Sequence, residues 1–282
     1  MPLPRLIRRP LEWVLSIAPV RRALIRHYHG RRAANDPWNR LHPIDEEYGI
    51  ETSGMVPTWL IATGGVSHRQ IVWYAGSQPL VTRRALRRLS GIDRGAFVDI
   101  GCGKGRVLAL ATEFPFREIL GVEMSPTLAD IARRNARKVA EQCPDRAAIT
   151  VWTGDALDCP LPDGDLVLFL YHPFDCGLMA RLLLRIEQRL RATDHRTWIV
   201  YCNPVCGELF DRSPELTRLW AETVTFDTFG NPSESKEHHD AYVIWQDRAG
   251  ARGGPAPGPE AHRRIVVTMP GVRAELVEDC PS

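Results

Sequence analysis

The chain of 282 residues is poor in lysine, with only Lys104, Lys138 and Lys236, so arginine carries almost all of its positive charge. That bias reads first as GC-rich coding and only second as a taste for phosphate. A formal net charge of +2 gives no bulk field that would gather a polyanion, which disfavours nucleic acid as a partner. No stretch of about 20 apolar residues is present to span a bilayer, and no uncharged run leads to a small-residue cleavage site. Paired Cys-x-x-Cys steps are missing, which argues against a metal centre. The seven cysteines are odd in number and irregular in spacing, an expectation of a reduced, cytoplasmic protein. There is no internal repeat. What is present, 44% hydrophobic and 25% charged residues, suffices for one substantial core with extensions.

The informative segment is Phe97-Val98-Asp99-Ile100-Gly101-Cys102-Gly103-Lys104-Gly105-Arg106-Val107-Leu108, an apolar strand that breaks into glycines and restarts as a helix. Glycines permit positive φ and let backbone N–H groups approach a ligand, while the helix start favours negative charge. Arg106 fills the place where a dinucleotide fingerprint wants glycine or alanine. Glu118-Ile119-Leu120-Gly121-Val122-Glu123 is a second strand ending in a carboxylate, placed to accept from ribose hydroxyls, and Ser125-Pro126 caps the helix after it. A third strand, Ala148 to Thr153, runs into Gly154-Asp155-Ala156. A fourth, Asp165 to Tyr171, is almost continuously apolar, as a central parallel strand requires, and ends in Tyr171-His172-Pro173-Phe174.

This succession resembles the class I S-adenosyl-L-methionine (SAM) methyltransferases. The resemblance implies an α/β fold, a Rossmann-like doubly wound sheet of seven strands, mostly parallel with an antiparallel terminal hairpin. It implies SAM as cofactor, with Asp99, Gly101, Gly103 and Gly105 at the methionine portion and Glu123 at the ribose. Met124 then packs beside adenine, and Asp155 with Ala156 takes the adenine edge. Amine-methylating members carry Asn-Pro-Pro-Tyr or Asn-Pro-Phe where this chain has His172-Pro173-Phe174, so Tyr171, His172, Pro173 and Phe174 are the catalytic candidates and the acceptor atom stays open. His172 is read equally as a base or acceptor for the nucleophile and as a loop ligand. Lys104 is read chiefly as an exposed helix-start residue.

The segment before the glycine turn, with Tyr74 and Ser77 ahead of a helix over 81–89, is similar to the lid of bacterial proteins of the non-SET protein-lysine methyltransferase type, and Tyr74 joins the cofactor set on that ground. The resemblance covers about residues 70–247. Strands are expected at 198–202, 222–227 and 241–245, with a crossover helix at 178–190. The divisions are a basic N-terminal extension over 1–40, a lid or substrate-side segment over 41–90, a SAM-binding core over 91–247, and a Gly/Pro-rich linker and tail over 248–282. Residues 1–32 hold eight arginines against the single acid Glu12, a segment read as packing on the core or partly fraying ahead of touching an anionic membrane or nucleic acid. The expected function is methyl transfer to nitrogen or oxygen. Acceptors rank as protein lysine, then a small molecule, then nucleic acid. A non-catalytic SAM sensor or scaffold, and an NAD-dependent oxidoreductase, are the rivals.

Overall fold

A computed structural model describes residues 41–58, 61, 73–89, 95–226, 238–252, 257–269 and 272–276, together with 19, 20 and 23. The basic segment of the first thirty-two residues lies almost wholly outside the described residues. Helix α1 (Pro43–Glu47) and helix α2 (Pro79–Arg87) precede the sheet. Then β1 (Ala96–Ile100), α3 (Arg106–Ala111), β2 (Glu118–Glu123), α4 (Pro126–Gln142), β3 (Ile149–Thr153) and β4 (Leu166–Tyr171) alternate. The chain continues through α5 (Cys176–Ala192), β5 (Thr197–Cys202), α6 (Gly207–Asp211), β6 (Leu216–Phe226) and β7 (His238–Asp247).

These seven strands form one sheet in the order β3-β2-β1-β4-β5-β7-β6, in which β1 to β5 run parallel and the β6–β7 pair is antiparallel. The expected fold class is therefore the observed one. Strand order reverses between β1 and β4, and at such a switch point the loops leaving the two strands part to open a crevice. Helices on both faces bury every residue of β1, which is why that strand reads as an unbroken apolar run apart from Asp99. Val98, Ile100, Leu168 and Leu170 face Met179, Leu182 and Ile186 of α5. Phe97, Val167, Phe169 and Val200 face Val81, Ala85 and Val107 of α2 and α3. Alternation of side chains along each strand produces the two layers.

The helix starts follow the sequence. Ser125 Oγ accepts from Leu128 N–H at 3.5 Å with Pro126 in the first turn, and Asp175 Oδ1 accepts from Leu178 N–H at 2.9 Å to cap α5. Strand β6 begins six residues before the expected start at 222, and its pairing with β7 is irregular between Arg218 and Trp220. The irregularity breaks the two-residue alternation by which a strand is recognised. The tail returns to the body: β8 (Ile265–Met269) pairs with β9 (Val272–Leu276), and Ile265, Val267 and Leu276 enter the larger core layer. On the other side, Ile44, Tyr48 and Ile50 pack on Ala109, Leu110 and Val139, so residues 42–50 are clamped to α3 and α4.

The expectation that the cysteines are all reduced is overturned. Cys176 and Cys206 form a disulfide across a separation of 30 residues, joining the first turn of α5 to the loop after β5. Irregular spacing concealed it, because the two residues meet only when β4 and β5 lie side by side. Cys102, Cys143, Cys159 and Cys202 are free.

Candidate active site

At the carboxyl ends of β1 and β4 lies a cleft that opens to solvent at its mouth. Its walls include Asp99, Gly101, Cys102, Gly103, Glu123, Met124, Gly154 and Ala156 on one side, and Tyr171, His172, Pro173 and Phe174 on the other. Tyr74, Trp73 and Ser77 close it from the N-terminal segment. Of the residues singled out in the sequence, Gly105 and Asp155 do not line it.

The glycine turn is shaped by close approach. Gly101 and Gly103 have φ of 80° and 55°, a region that other residues enter only with strain. A Cβ on Gly101 would come within 2.9 Å of Pro173 Cβ, and one on Gly103 would collide with the Tyr74 ring. Gly105, with φ of 85°, is instead the N-cap of α3 and faces Ala132 of α4. Glu123 binds the turn to its own strand end: Oε2 accepts from Gly103 N–H at 2.9 Å and Oε1 from Ser125 N–H at 2.8 Å. Burial raises its pKa against those N–H bonds, and burial also lifts Asp99 well above the ordinary carboxylate range, with the charge of Glu123 adding to the effect. A positive ligand group would favour the ionised form of both. Asp155 Oδ1 accepts from Leu157 N–H at 2.9 Å, so this carboxylate closes a turn and leaves Gly154 and Ala156 at the cleft.

Lys104 is not an exposed helix-start residue. It is 1% exposed, donates to the Ser53 carbonyl at 2.6 Å and stands 3.9 Å from Glu51 Oε1. Burial lowers its pKa to about 8. Beside it the Arg106 guanidinium donates to Thr52 Oγ1 at 2.7 Å, the Ser77 carbonyl at 3.1 Å and Ser53 Oγ at 3.3 Å. Thr52 in turn bonds the buried Asp45 carboxylate, which accepts Thr52 N–H at 3.0 Å and Ser53 N–H at 2.8 Å. These bonds hold residues 51–53 and 77 against the turn. Arg106, which excluded the dinucleotide fingerprint, is thus a bracket for the segment covering the cleft. Tyr74 lays its ring over Gly103 and sends its hydroxyl away, to the Thr52 carbonyl at 2.6 Å.

On the opposite wall His172 has φ of 44° and Asn203, at the end of β5, has φ of 49°. Left-handed backbone in a non-glycine residue is costly, and a pair of such positions side by side marks a constrained rim. The Tyr171 hydroxyl bonds the Asp240 carboxylate and receives Asn203 Nδ2 at 3.3 Å; Asn203 Nδ2 also reaches Asp240 Oδ1 at 3.0 Å. Asn203 Oδ1 accepts from Ala241 N–H at 3.2 Å. Burial and the Asp240 charge raise the Tyr171 pKa well above its ordinary value. His172 Nδ1 is 3.1 Å from the Tyr201 hydroxyl, and burial lowers its pKa to about 4, so the ring is neutral at pH 7. Sequence reasoning passed over Asn203, Tyr201 and Asp240, whose only local signal was an asparagine just past a strand end. Among the described residues there is no group of three or more His, Cys, Asp or Glu side chains able to hold a metal, and no helix long and apolar enough to cross a membrane.

Residues 97–192 match a family model described as a methyltransferase domain. The release factor glutamine methyltransferase of Burkholderia pseudomallei is 31% identical over 112 residues, 39% of this chain and 35% of the relative. Its namesake from Geobacter sulfurreducens is 27% identical over 184 residues, 59% of this chain and 57% of the relative. The chain thus spans between about a third and somewhat over half of the length of these curated relatives. A solved RNA methyltransferase of Salinibacter ruber, in complex with S-adenosyl-L-homocysteine, overlays 61% of this chain and 94% of its own at 18% identity and a TM-score of 0.41. Two buried carboxylates beside a glycine cradle suit a cationic nucleoside that also carries an amino acid, and with the methyltransferase-domain match over residues 97–192 they support SAM as the cofactor.

Proposed function

We propose that this chain transfers a methyl group from SAM to a nitrogen or oxygen atom of an acceptor held at the Tyr171–Phe174 end of the cleft. The observation that carries the reading is the division of one cleft into a carboxylate-and-glycine wall and a polar-aromatic wall, which meet where Gly101 touches Pro173. When bound, SAM supplies a methyl already activated on a positively charged sulfur. The protein's task is then to align and to exclude water. Gly101 and Gly103, lacking side chains, line the cleft for the methionine portion beside Asp99, Glu123 meets the ribose hydroxyls, and Met124, Gly154 and Ala156 flank the base. Asp155 supports that flank through its turn. Tyr74 and Trp73 close the cleft over the glycine turn. Pro173 and Phe174 shape the floor on which the acceptor rests.

A protein side chain is the acceptor class we place first. Lysine is the expectation from the sequence, glutamine is the residue in the names of the curated relatives, and a small molecule follows. One observation favours a second reading, a SAM-binding sensor without turnover: the polar atoms of Tyr171 and Asn203 are engaged within the protein. Calorimetry with SAM and with NAD, followed by tritiated-methyl transfer into a lysate split into protein, nucleic acid and metabolites, tests the proposal. Methyl transfer predicts SAM binding, no NAD binding and label in one fraction. Binding with every fraction unlabelled would leave the sensor, and NAD binding in place of SAM would end both readings.

A further inference from the structure

The His172 ring sits at the end of a short relay. Tyr201 is 0% exposed, its hydroxyl oxygen receives the backbone N–H of Cys206, and the same hydroxyl lies 3.1 Å from His172 Nδ1. A buried hydroxyl has one proton to donate, and leaving it without an acceptor is costly. Among the described residues Nδ1 is the acceptor within reach, so Tyr201 donates to it. A neutral imidazole that accepts at Nδ1 carries its proton on Nε2. Since His172 lines the cleft, that Nε2–H is the group it presents there. The relay is held from behind, because Cys206 is tied by the disulfide to Cys176 at the start of α5.

We propose that Tyr201 is a positioning residue that fixes His172 as a hydrogen-bond donor toward the cleft, and that the methyl acceptor therefore carries a carboxamide or carboxylate oxygen beside the atom that is methylated. The proposal rests on the methyltransferase reading above. Tyr171 and Asn203, the neighbouring polar side chains, spend their hydroxyl and amide on Asp240, on each other and on Ala241. A donor at this point would tie up the lone pair of a simple amine, the pair that has to attack. On a planar carboxyl-derived group it instead binds one oxygen and leaves the adjacent atom to react. With a carboxamide, the new N–C bond forms as the C–S bond breaks with its electron pair staying on sulfur. The amide N–H proton passes to water, and the bonded oxygen takes up the charge that develops. With a carboxylate, the second oxygen forms the bond and no proton is lost.

The test has two arms on the full chain. Nitrogen-15 shifts of the histidine rings, with His172 identified by its loss in His172→Gln, read the tautomer without any turnover. The parent should show a protonated Nε2 and a bare Nδ1, and Tyr201→Phe should move the ring to a mixture of tautomers. A protonated Nδ1 in the parent, or an unchanged ring in Tyr201→Phe, overturns the relay; if Tyr201→Phe does not fold, the parent spectrum decides alone. In the second arm, label transferred from tritiated SAM into lysate is treated with mild base, which frees methanol from methyl esters, and with acid, which frees methylamine from N-methyl amides. Release by either treatment is expected. Label that survives both, as methyl-lysine does, overturns the acceptor class. Absence of label from every fraction contradicts methyl transfer and this acceptor class together, while the ring shifts still judge Tyr201. His172→Gln, which keeps an N–H at similar reach, should transfer within about tenfold of the parent, and His172→Met should lose about a hundredfold or more. Equal losses in the two variants would also count against the donor role.

Discussion

Gly103 and Glu123, on the carboxylate wall of the cleft, are 20 residues apart and joined by one strand and one helix. On the opposite wall, His172 reaches 29 residues to Tyr201, and Tyr171 reaches 69 residues to Asp240. The first wall is thus a local product of β1, β2 and their turns. The second exists only once β4, β5 and β7 stand side by side. On the proposed reading, the difference teaches where specificity is written: binding of a common cofactor is encoded in a compact stretch, while the acceptor end depends on side chains drawn from distant strands and pinned by a disulfide.

The comparison can be broken most severely at the local wall. Gly103→Val puts a branched side chain into the Tyr74 ring at a left-handed backbone position, and it should abolish measurable SAM binding by calorimetry. Retained binding would show that the ligand does not use this turn. Next in size is Cys176→Ser, which opens a closed loop of 30 residues and should lower unfolding stability by about 3 to 4 kcal/mol in denaturant titration. Its effect on SAM affinity should be small, since the staple serves the other wall; a large one would blur the division.

A third outcome concerns pH. Burial lowers the His172 pKa from 6.5 to about 4, so between those values the unfolded chain takes up the proton that the folded chain refuses. Stability from this residue is complete above about pH 6.5, falls as the pH drops toward 4 and loses nothing further below that. The whole window is worth about 3 kcal/mol at most. Denaturant titrations at pH 7 and pH 4.5 should show the decline, reduced in His172→Gln. His42, its pKa also lowered to about 4 by burial, contributes in the same direction and keeps part of the slope in that variant. The smallest effect is expected from Lys104→Met, which removes the bond to the Ser53 carbonyl but also the cost of burying a cation; SAM affinity should change less than about tenfold. A larger loss would move Lys104 from bracket to ligand.

Sequence legibility followed the same division. Strands β1, β4 and β5 were visible as apolar runs because helices cover both faces of the sheet there, and the glycine turn was visible because positive φ and close approach leave little choice of residue. Arg218 hid the start of β6: it is a buried cation, paired with the Asp211 carboxylate, in a strand whose register slips beside it. Lys104 was misjudged because its partners, Ser53 and Glu51, lie fifty residues upstream in a segment with no periodic pattern of its own. Asp155 carries two readings at once, because a strand-end acid has the same local signature as an acid closing its own turn, and Asp155 closes one. The disulfide and the Tyr201 relay left no local trace, since each joins residues that topology alone makes neighbours.

The most direct test of the central claim, that Asp99, Glu123 and the glycine turn form a SAM site, is a calorimetric titration of the full chain and of Glu123→Ala with SAM. The account predicts one SAM per chain for the parent and at least a tenfold weaker Kd, about 1.4 kcal/mol, for the variant. No binding by the parent, or equal affinity in the two proteins, would contradict it.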